Sequence, residues 1–265
     1  MKIALVISTY NWPAALRRCL QSVKVQTRIP DEVIIADDGS TTATKELIDA
    51  FQPSFPCPLK HAWIPDEGFR LAMSRNNAIR NYCTSDYIIF IDQDIILDKN
   101  FIYDHERIAQ KGYFVTGGRT KLLQPLTDRL LKGDPFHPSL FNKGIHRKLN
   151  MLHLPFLHFI TRYMYCWKPL YGRGANMAMW RADLEKINGF DEKIKGYGVE
   201  DIDIFNRLKN CGIKKKYAQF CAIEYHLYHK RGTVATTNFH IAFDQPDRKR
   251  CRYGLAILPS TVKLI

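Results

Sequence analysis

One short stretch constrains this chain more than any other. Tyr87-Ile88-Ile89-Phe90-Ile91 is an unbroken run of β-branched and aromatic residues, and it ends abruptly in Asp92-Gln93-Asp94. Such a run reads as a strand covered on both faces, which belongs to a parallel sheet flanked by helices. Sheets of that kind collect ligands where their strands finish. Two hard oxygen donors one residue apart at that point suit Mg²⁺ or Mn²⁺ carrying a phosphate. Strand-end solubility and turn formation would account for the same two residues without an ion.

The first 120 residues alternate strand and helix signals around that strand. Ile3–Ile7 reads as a strand, and Pro13 opens a helix through Val25. Glu32–Ala36 is the next strand, ending in Asp37-Asp38-Gly39-Ser40, where Asp-Gly is also a turn signature. A helix over Thr44–Phe51 is stopped by Pro53, Pro56 and Pro58. A short strand over His61–Ile64 and a helix over Leu71–Cys83 then lead to Tyr87. The spacing predicts an α/β fold with a Rossmann-like sheet flanked by helices. Residues 121–171 break the rhythm with five prolines and a dense aromatic and basic mixture. Within them Met151–Trp167 reads as an interfacial segment, an acceptor groove or a helical lid. Order returns with a strand over Ala175–Trp180, a helix over Ala182–Ile187 and a helix over Ile202–Lys209 closed by Gly212.

Charge divides the chain in two. Residues 1–120 carry 14 Lys+Arg against 14 Asp+Glu, whereas residues 121–265 carry 25 against 12, the whole of the net +13. A basic half implies anionic partners such as phospholipid, lipopolysaccharide or nucleic acid, or else a solvated surface. The seven cysteines are scattered and contain no C-x-x-C pair, which fits free thiols in a reducing compartment. The opening Ile3–Ile7 is too short for a signal core, and no stretch of about 18 apolar residues exists. A cytoplasmic protein, or one bound to a membrane face, is expected.

Three further constellations carry chemistry. Gly196-Tyr197-Gly198-Val199-Glu200-Asp201-Ile202-Asp203 precedes a helix whose first turn is acidic, as the helix dipole favours. Ile202, Phe205 and Leu208 are expected to bury one side, leaving carboxylates able to accept a proton from an incoming hydroxyl; helix capping alone would need no catalysis. His226-Leu227-Tyr228-His229-Lys230-Arg231 offers imidazoles to complete a metal site and cations for a diphosphate. Asp66-Glu67 is the remaining acidic pair. No dinucleotide fingerprint, P-loop, nucleophile elbow or zinc-protease motif is present.

Together these pieces resemble the metal-dependent glycosyltransferases of the GT-A fold, specifically glycosyltransferase family 2. Val6–Asn11, Ile34–Ser40 and Phe90–Asp94 stand in that family's order and spacing. Asp66–Asn76 looks like the donor-binding stretch of bacterial chondroitin polymerase, and Gly196–Leu208 is similar to the acceptor motif of the β-1,4-galactosyltransferases. The likeness covers residues 3–120 and 172–232; Val199 and Ile202 depart from it, standing in place of a glycine and a third acid. It implies one GT-A domain, with residues 1–120 binding donor and 121–265 binding acceptor around a helical basic insertion at 121–171. Ser8, Thr9, Tyr10 and Asp38 would bind uridine, with Arg75 nearby and Asp92 and Gln93 at the ribose or metal. Asp94 would ligate Mn²⁺ or Mg²⁺, with His229 completing the shell and His226 a second candidate. Asp201 would be the base and Glu200 would hold the acceptor sugar.

The reaction so implied moves a hexose or N-acetylhexosamine from a UDP-sugar to a glycan or lipid-linked oligosaccharide, with inversion. The expected setting is lipopolysaccharide, lipooligosaccharide or capsule synthesis at the inner face of a bacterial inner membrane. Two other classes compete. A non-catalytic nucleic-acid binder would explain the basic half but not the ordered acids, which repel phosphate without a metal. A nucleotidyltransferase would share the sheet and the carboxylates, but Ser8-Thr9-Tyr10-Asn11-Trp12-Pro13 lacks a glycine- and lysine-rich loop. No nucleic-acid partner is therefore expected.

Overall fold

The structure is a computed structural model and describes residues 1–163, 174–230, 232–233 and 235–264. In chain order its elements are β1 (Ile3–Thr9), α1 (Pro13–Lys24), β2 (Glu32–Asp37), α2 (Thr42–Phe51), β3 (Leu59–Trp63), α3 (Leu71–Asn81), β4 (Tyr87–Asp92), β5 (Ile95–Leu97) and α4 (Phe101–Ile108). There follow β6 (Tyr113–Gly117), β7 (Thr120–Leu122), α5 (Gln124–Leu131), β8 (Ile145–His146), α6 (His158–Thr161), β9 (Met177–Trp180), α7 (Arg181–Ile187), α8 (Glu200–Asn210), β10 (Lys214–Ala218), β11 (Glu224–His226) and α9 (Phe239–Phe243).

Seven strands form the main sheet in the order β10-β6-β9-β4-β1-β2-β3. All neighbours run parallel except β9, which is antiparallel to both β4 and β6. The parallel core needs cover on both faces, and the sequence supplies it by alternation. Leu5, Ile7, Val33, Ile35, Ile89 and Ile91 pack with Leu16, Leu20 and Val23 of α1 and Phe101 of α4. Val6, Ile34, Ile88 and Phe90 pack on the opposite face with Ile79 of α3, Leu184 of α7 and Phe205 and Leu208 of α8. Each such side chain contributes about 1.5–3 kcal/mol on burial. The strand ends therefore stand on a rigid base.

A second sheet, ordered β5-β11-β7-β8, leaves the main one just after β4. One of its faces is apolar, with Leu122, Ile145 and Tyr225 gathered around Leu130 and Leu227. Its strands come from both halves of the sequence, and so do those of the main sheet.

Three local expectations change. On α8 the buried set is Ile204, Phe205 and Leu208 rather than Ile202, which is half-buried at the cavity wall. A face only three or four residues wide shifts by a full position when the helix begins at Glu200. The strand expected from Ala175 begins at Met177. Met151–Trp167 does not form one helix up to Tyr163: 3₁₀ turns at Lys148–Met151 and Pro155–Leu157 and the four-residue α6 take its place, because Pro155 cannot continue a helix. The rest of that segment, Met164–Trp167, together with Gly172, Arg173 and Arg231, lies outside the described residues. The six described cysteines are free thiols, four of them buried.

Candidate active site

One part of the site is made by consecutive strand ends. In the parallel register Ser8 of β1 lies beside Asp92 of β4 and beside Ala36 of β2, so Ser8, Asp92 and the residues after Ala36 emerge on one rim. Of the Asp37-Asp38 pair, Asp37 is spent on structure: its carboxylate accepts from the Ser40 N–H (2.8 Å) and meets His61 Nε2 (2.7 Å). Asp38 faces the cavity. Its Oδ2 accepts from the Arg70 N–H (2.6 Å), while Oδ1 is buried without a hydrogen-bond partner. Burial pushes its carboxyl up to about 6 against the pull of that N–H. Gln93 ties the first loop down, accepting from the Thr9 hydroxyl and donating to the Tyr10 carbonyl (3.0 Å).

Arg75 is the hub. It is fully buried on the inner face of α3, donating from Nε to Ser8 Oγ (3.0 Å) and from Nη2 to Asp92 Oδ1 (3.1 Å) and the Gly174 carbonyl (3.2 Å). Its Nη1 is 4.0 Å from Glu200 Oε1. Its guanidinium also sits 5.4 Å from the Phe190 ring. A planar, permanently charged fork suits this bridging position, where a lysine would reach fewer partners.

Asp94 meets two histidines. Its Oδ2 is 3.4 Å from His226 Nε2 and 3.2 Å from His229 Nε2, and the three side chains can present ligand atoms within 4.8 Å of one another. The Leu227 N–H donates to the Asp94 carbonyl (2.9 Å), pinning the histidine segment to the end of β4. His229 Nδ1 faces the Lys230 carbonyl at 2.8 Å; donating there leaves the Nε2 lone pair turned toward Asp94, the arrangement of a ligating imidazole. Asp94 Oδ1 is buried with no hydrogen-bond partner, and burial, then the Asp92 charge, pushes its carboxyl up to about 7. A buried carboxylate with an orphaned oxygen beside two imidazoles fits a divalent cation of the Mn²⁺ class.

The first turn of α8 supplies a further part of the wall. Glu200 Oε2 is buried without a partner, and burial together with the Asp201 charge raises this carboxyl to about 7. Asp201 is also raised, by burial, although its oxygens accept from the Ile202 N–H (2.8 Å) and the Gly174 N–H (3.1 Å). Asp203 takes no part: it is locked between Arg207 (2.6 Å) and Arg248.

The twelve residues to which the resemblance gives a role line one cavity of about 870 Å³: Ser8, Thr9, Tyr10, Asp38, Arg75, Asp92, Gln93, Asp94, Glu200, Asp201, His226 and His229; the acidic pair Asp66 and Glu67 is not part of that lining. Sequence reasoning missed Arg119, Lys121, His146, Tyr197 and Phe239, which line it too. Arg119-Thr120-Lys121-Leu122 and Ile145-His146 are too short to show a strand period, and nothing in them says which strand lies beside which.

The profile of the family described as glycosyl transferase family 2 matches residues 4–187, and that of the N-terminal domain of galactosyltransferase matches residues 158–230. Validoxylamine A glucosyltransferase of Streptomyces hygroscopicus subsp. limoneus is 25% identical over an alignment 235 residues long that covers 80% of this chain and 48% of that protein. The chain thus spans about half the length of that relative. Among solved structures, residues 1–349 of S. aureus TarS with UDP-GlcNAc superpose with a TM-score of 0.63 at 16% identity, covering 93% of this chain and 65% of that one. A mannosyltransferase from Pyrobaculum calidifontis with GDP-Man and Mn²⁺ gives 0.61 at 18%, covering 87% and 58%. The fold is that of the GT-A glycosyltransferases, and since the first profile runs from β1 to the end of α7, the chain belongs to glycosyl transferase family 2.

Proposed function

We propose that this chain transfers a hexose or N-acetylhexosamine from a UDP-sugar to a hydroxyl of a glycan acceptor, inverting the anomeric centre. The observation that carries the reading is one cavity lined both by Asp94, His226 and His229, which cluster together, and by Glu200 and Asp201. Asp38, with a free buried acceptor oxygen, is suited to a nucleobase N–H, and Ser8, Thr9, Tyr10, Arg75, Asp92 and Gln93 frame the nucleoside. Asp94, His229 and His226 would hold Mn²⁺ or Mg²⁺, which supplies Lewis-acid charge to a leaving diphosphate. Asp201 takes the proton from the acceptor hydroxyl as that oxygen bonds to the anomeric carbon; the bond to the diphosphate breaks and UDP leaves with its electrons. A carboxyl raised by burial is the better proton acceptor near neutrality. Glu200 holds the acceptor sugar, whose hydroxyl donates a hydrogen bond to its unpartnered oxygen. On this reading residues 1–120 serve the donor and 121–265 the acceptor.

Mn²⁺-dependent UDP release from a panel of UDP-sugars, with and without lipooligosaccharide, tests it. Acceptor-stimulated release abolished by chelation is expected; release of pyrophosphate from nucleoside triphosphates instead would make the protein a nucleotidyltransferase.

The setting proposed is lipopolysaccharide, lipooligosaccharide or capsule synthesis on the inner face of a bacterial membrane. Among the described residues no helix is long and apolar enough to cross a membrane. Phe156, Phe159, Ile160 and Tyr163, at helical spacing, are 72, 70, 74 and 49% exposed, and the Arg162 guanidinium lies over the Phe159 ring at 4.5 Å. Aromatic and basic groups on one exposed turn favour peripheral contact with anionic lipid. Binding to phosphatidylglycerol vesicles that falls between low and high salt is expected; no binding at either salt removes this part of the reading.

A further inference from the structure

The cavity continues past the Asp94 cluster onto a wall that the reaction above leaves without a task. In the second sheet His226 of β11 stands beside Lys121 of β7, and Lys121 stands beside His146 of β8. Residues paired in register point to the same face, and strands lie about 4.8 Å apart, so the row His226–Lys121–His146 extends about 10 Å along the sheet. All three side chains line the cavity, and so does Arg119, two residues before Lys121 and therefore on its face. The intervening residues Leu122, Ile145 and Tyr225 turn to the apolar core beneath. One face of this small sheet holds it to the protein; the other presents Arg119, Lys121 and the two histidines to the cavity, with the buried carboxylate of Glu224 two residues before His226.

The direction of the row decides what it meets. In the main sheet β4 lies between β1 and β2 on one side and β9 and β6 on the other. β5 follows β4 by three residues and β7 follows β6 by three, so the step from β5 through β11 to β7 heads from β4 toward β6, away from the nucleotide end at β1 and β2. The diphosphate is met at the near end, by the Asp94 cluster and by Lys230 just after His229. Lys121 and His146 lie one and two strands further on. Lys121 and Arg119 bring cationic groups to this stretch of the wall and His146 a ring nitrogen, a set suited to an anionic group, and on the reading above the second substrate lies toward this end.

Resting on the glycosyl-transfer reading, we propose that Lys121 and His146 form a subsite for an anionic group, a phosphate or a carboxylate, carried by the acceptor. The enzyme so built selects anionic glycans over neutral ones of the same sugar.

The test compares UDP release with three acceptors that share one sugar: the neutral glycoside, its phosphate ester and its uronate. A charge-assisted hydrogen bond from Lys121 predicts a kcat/KM preference of about tenfold or more for an anionic form, with phosphate against uronate identifying the group. Lys121→Met and His146→Gln should each erode that preference, and Lys121→Arg should restore most of it, which a merely structural role would not produce. Equal rates with neutral and anionic acceptors overturn the subsite while leaving the transferase reading intact. A raised KM for the donor in Lys121→Met, with the preference intact, reassigns the row to the diphosphate and also overturns it. No UDP release with any acceptor removes the transferase reading and the subsite with it.

Discussion

The two ends of the cavity are built differently. At the nucleotide end, Ser8, Asp38 and Asp92 issue from three adjacent parallel strands whose apolar residues are covered on both faces. At the other end, Asp201 depends on an N–H from Gly174, and the basic row depends on pairing among three strands of two or three residues each. Charge follows the same division, with residues 1–120 neutral and residues 121–265 carrying the net +13. A rigid, neutral frame suits a donor of fixed chemistry; short strands and helix ends are where a second substrate can be changed without disturbing the first.

The comparison is broken most sharply by substitutions that hit one end alone. Asp201→Asn should lower kcat by about 10²–10⁴ while donor affinity, read by calorimetry with UDP, stays close to wild type. Asp94→Asn should lower kcat by about 10²–10³ and weaken Mn²⁺ binding, measurable by titration without any acceptor. If Asp201→Asn also lost UDP binding, the two ends would not be separable. Arg75→Met attacks both at once. It strips a buried cation from Asp92 and Glu200, and removing one member of a buried ion pair costs about 3–5 kcal/mol, seen as a lower thermal midpoint.

A smaller effect lies in the pH profile. Burial raises Asp201 above the ordinary carboxylate range, so kcat should fall on the acid side at a higher pH than an exposed aspartate would give, as the base takes up a proton. The Asp201 charge raises Glu200, and the coupling is reciprocal. Glu200→Gln removes one negative charge and should shift the acid limb toward lower pH. A limb that stays in place would separate Glu200 from the base.

Sequence reading reached the two ends unequally for the same physical reason. A buried strand advertises itself, so Asp92, Asp94 and Asp38 could be placed at strand ends from the apolar runs before them. Lys121 and His146 could not, because 22 residues, including a helix, separate two strands that lie side by side. Asp203 shows the opposite failure. Its place in an acidic run suggested chemistry, yet Arg207 stands four residues on, the spacing of a helical ion pair, and Arg248 arrives from far along the chain. The i, i+4 partner was legible; the distant one was not.

Val199 offers the finest test of how the acceptor end is held. It precedes α8 with φ 70° and ψ −8°, a left-handed conformation that a β-branched residue rarely adopts, and it is nearly buried against Ile194 and Ala242. The conformation costs about 1–2 kcal/mol for a residue with a Cβ, whereas packing the valine side chain recovers about 1.5–3 kcal/mol. At an ordinary buried site glycine is worse than alanine by about 0.5–1 kcal/mol. Here alanine loses the packing and keeps most of the backbone strain, while glycine loses the packing and sheds the strain. Val199→Gly should therefore be at least as stable in urea as Val199→Ala. The reverse order would mean that the turn presenting Glu200 and Asp201 is not strained, and that the acceptor end is as relaxed as the nucleotide end.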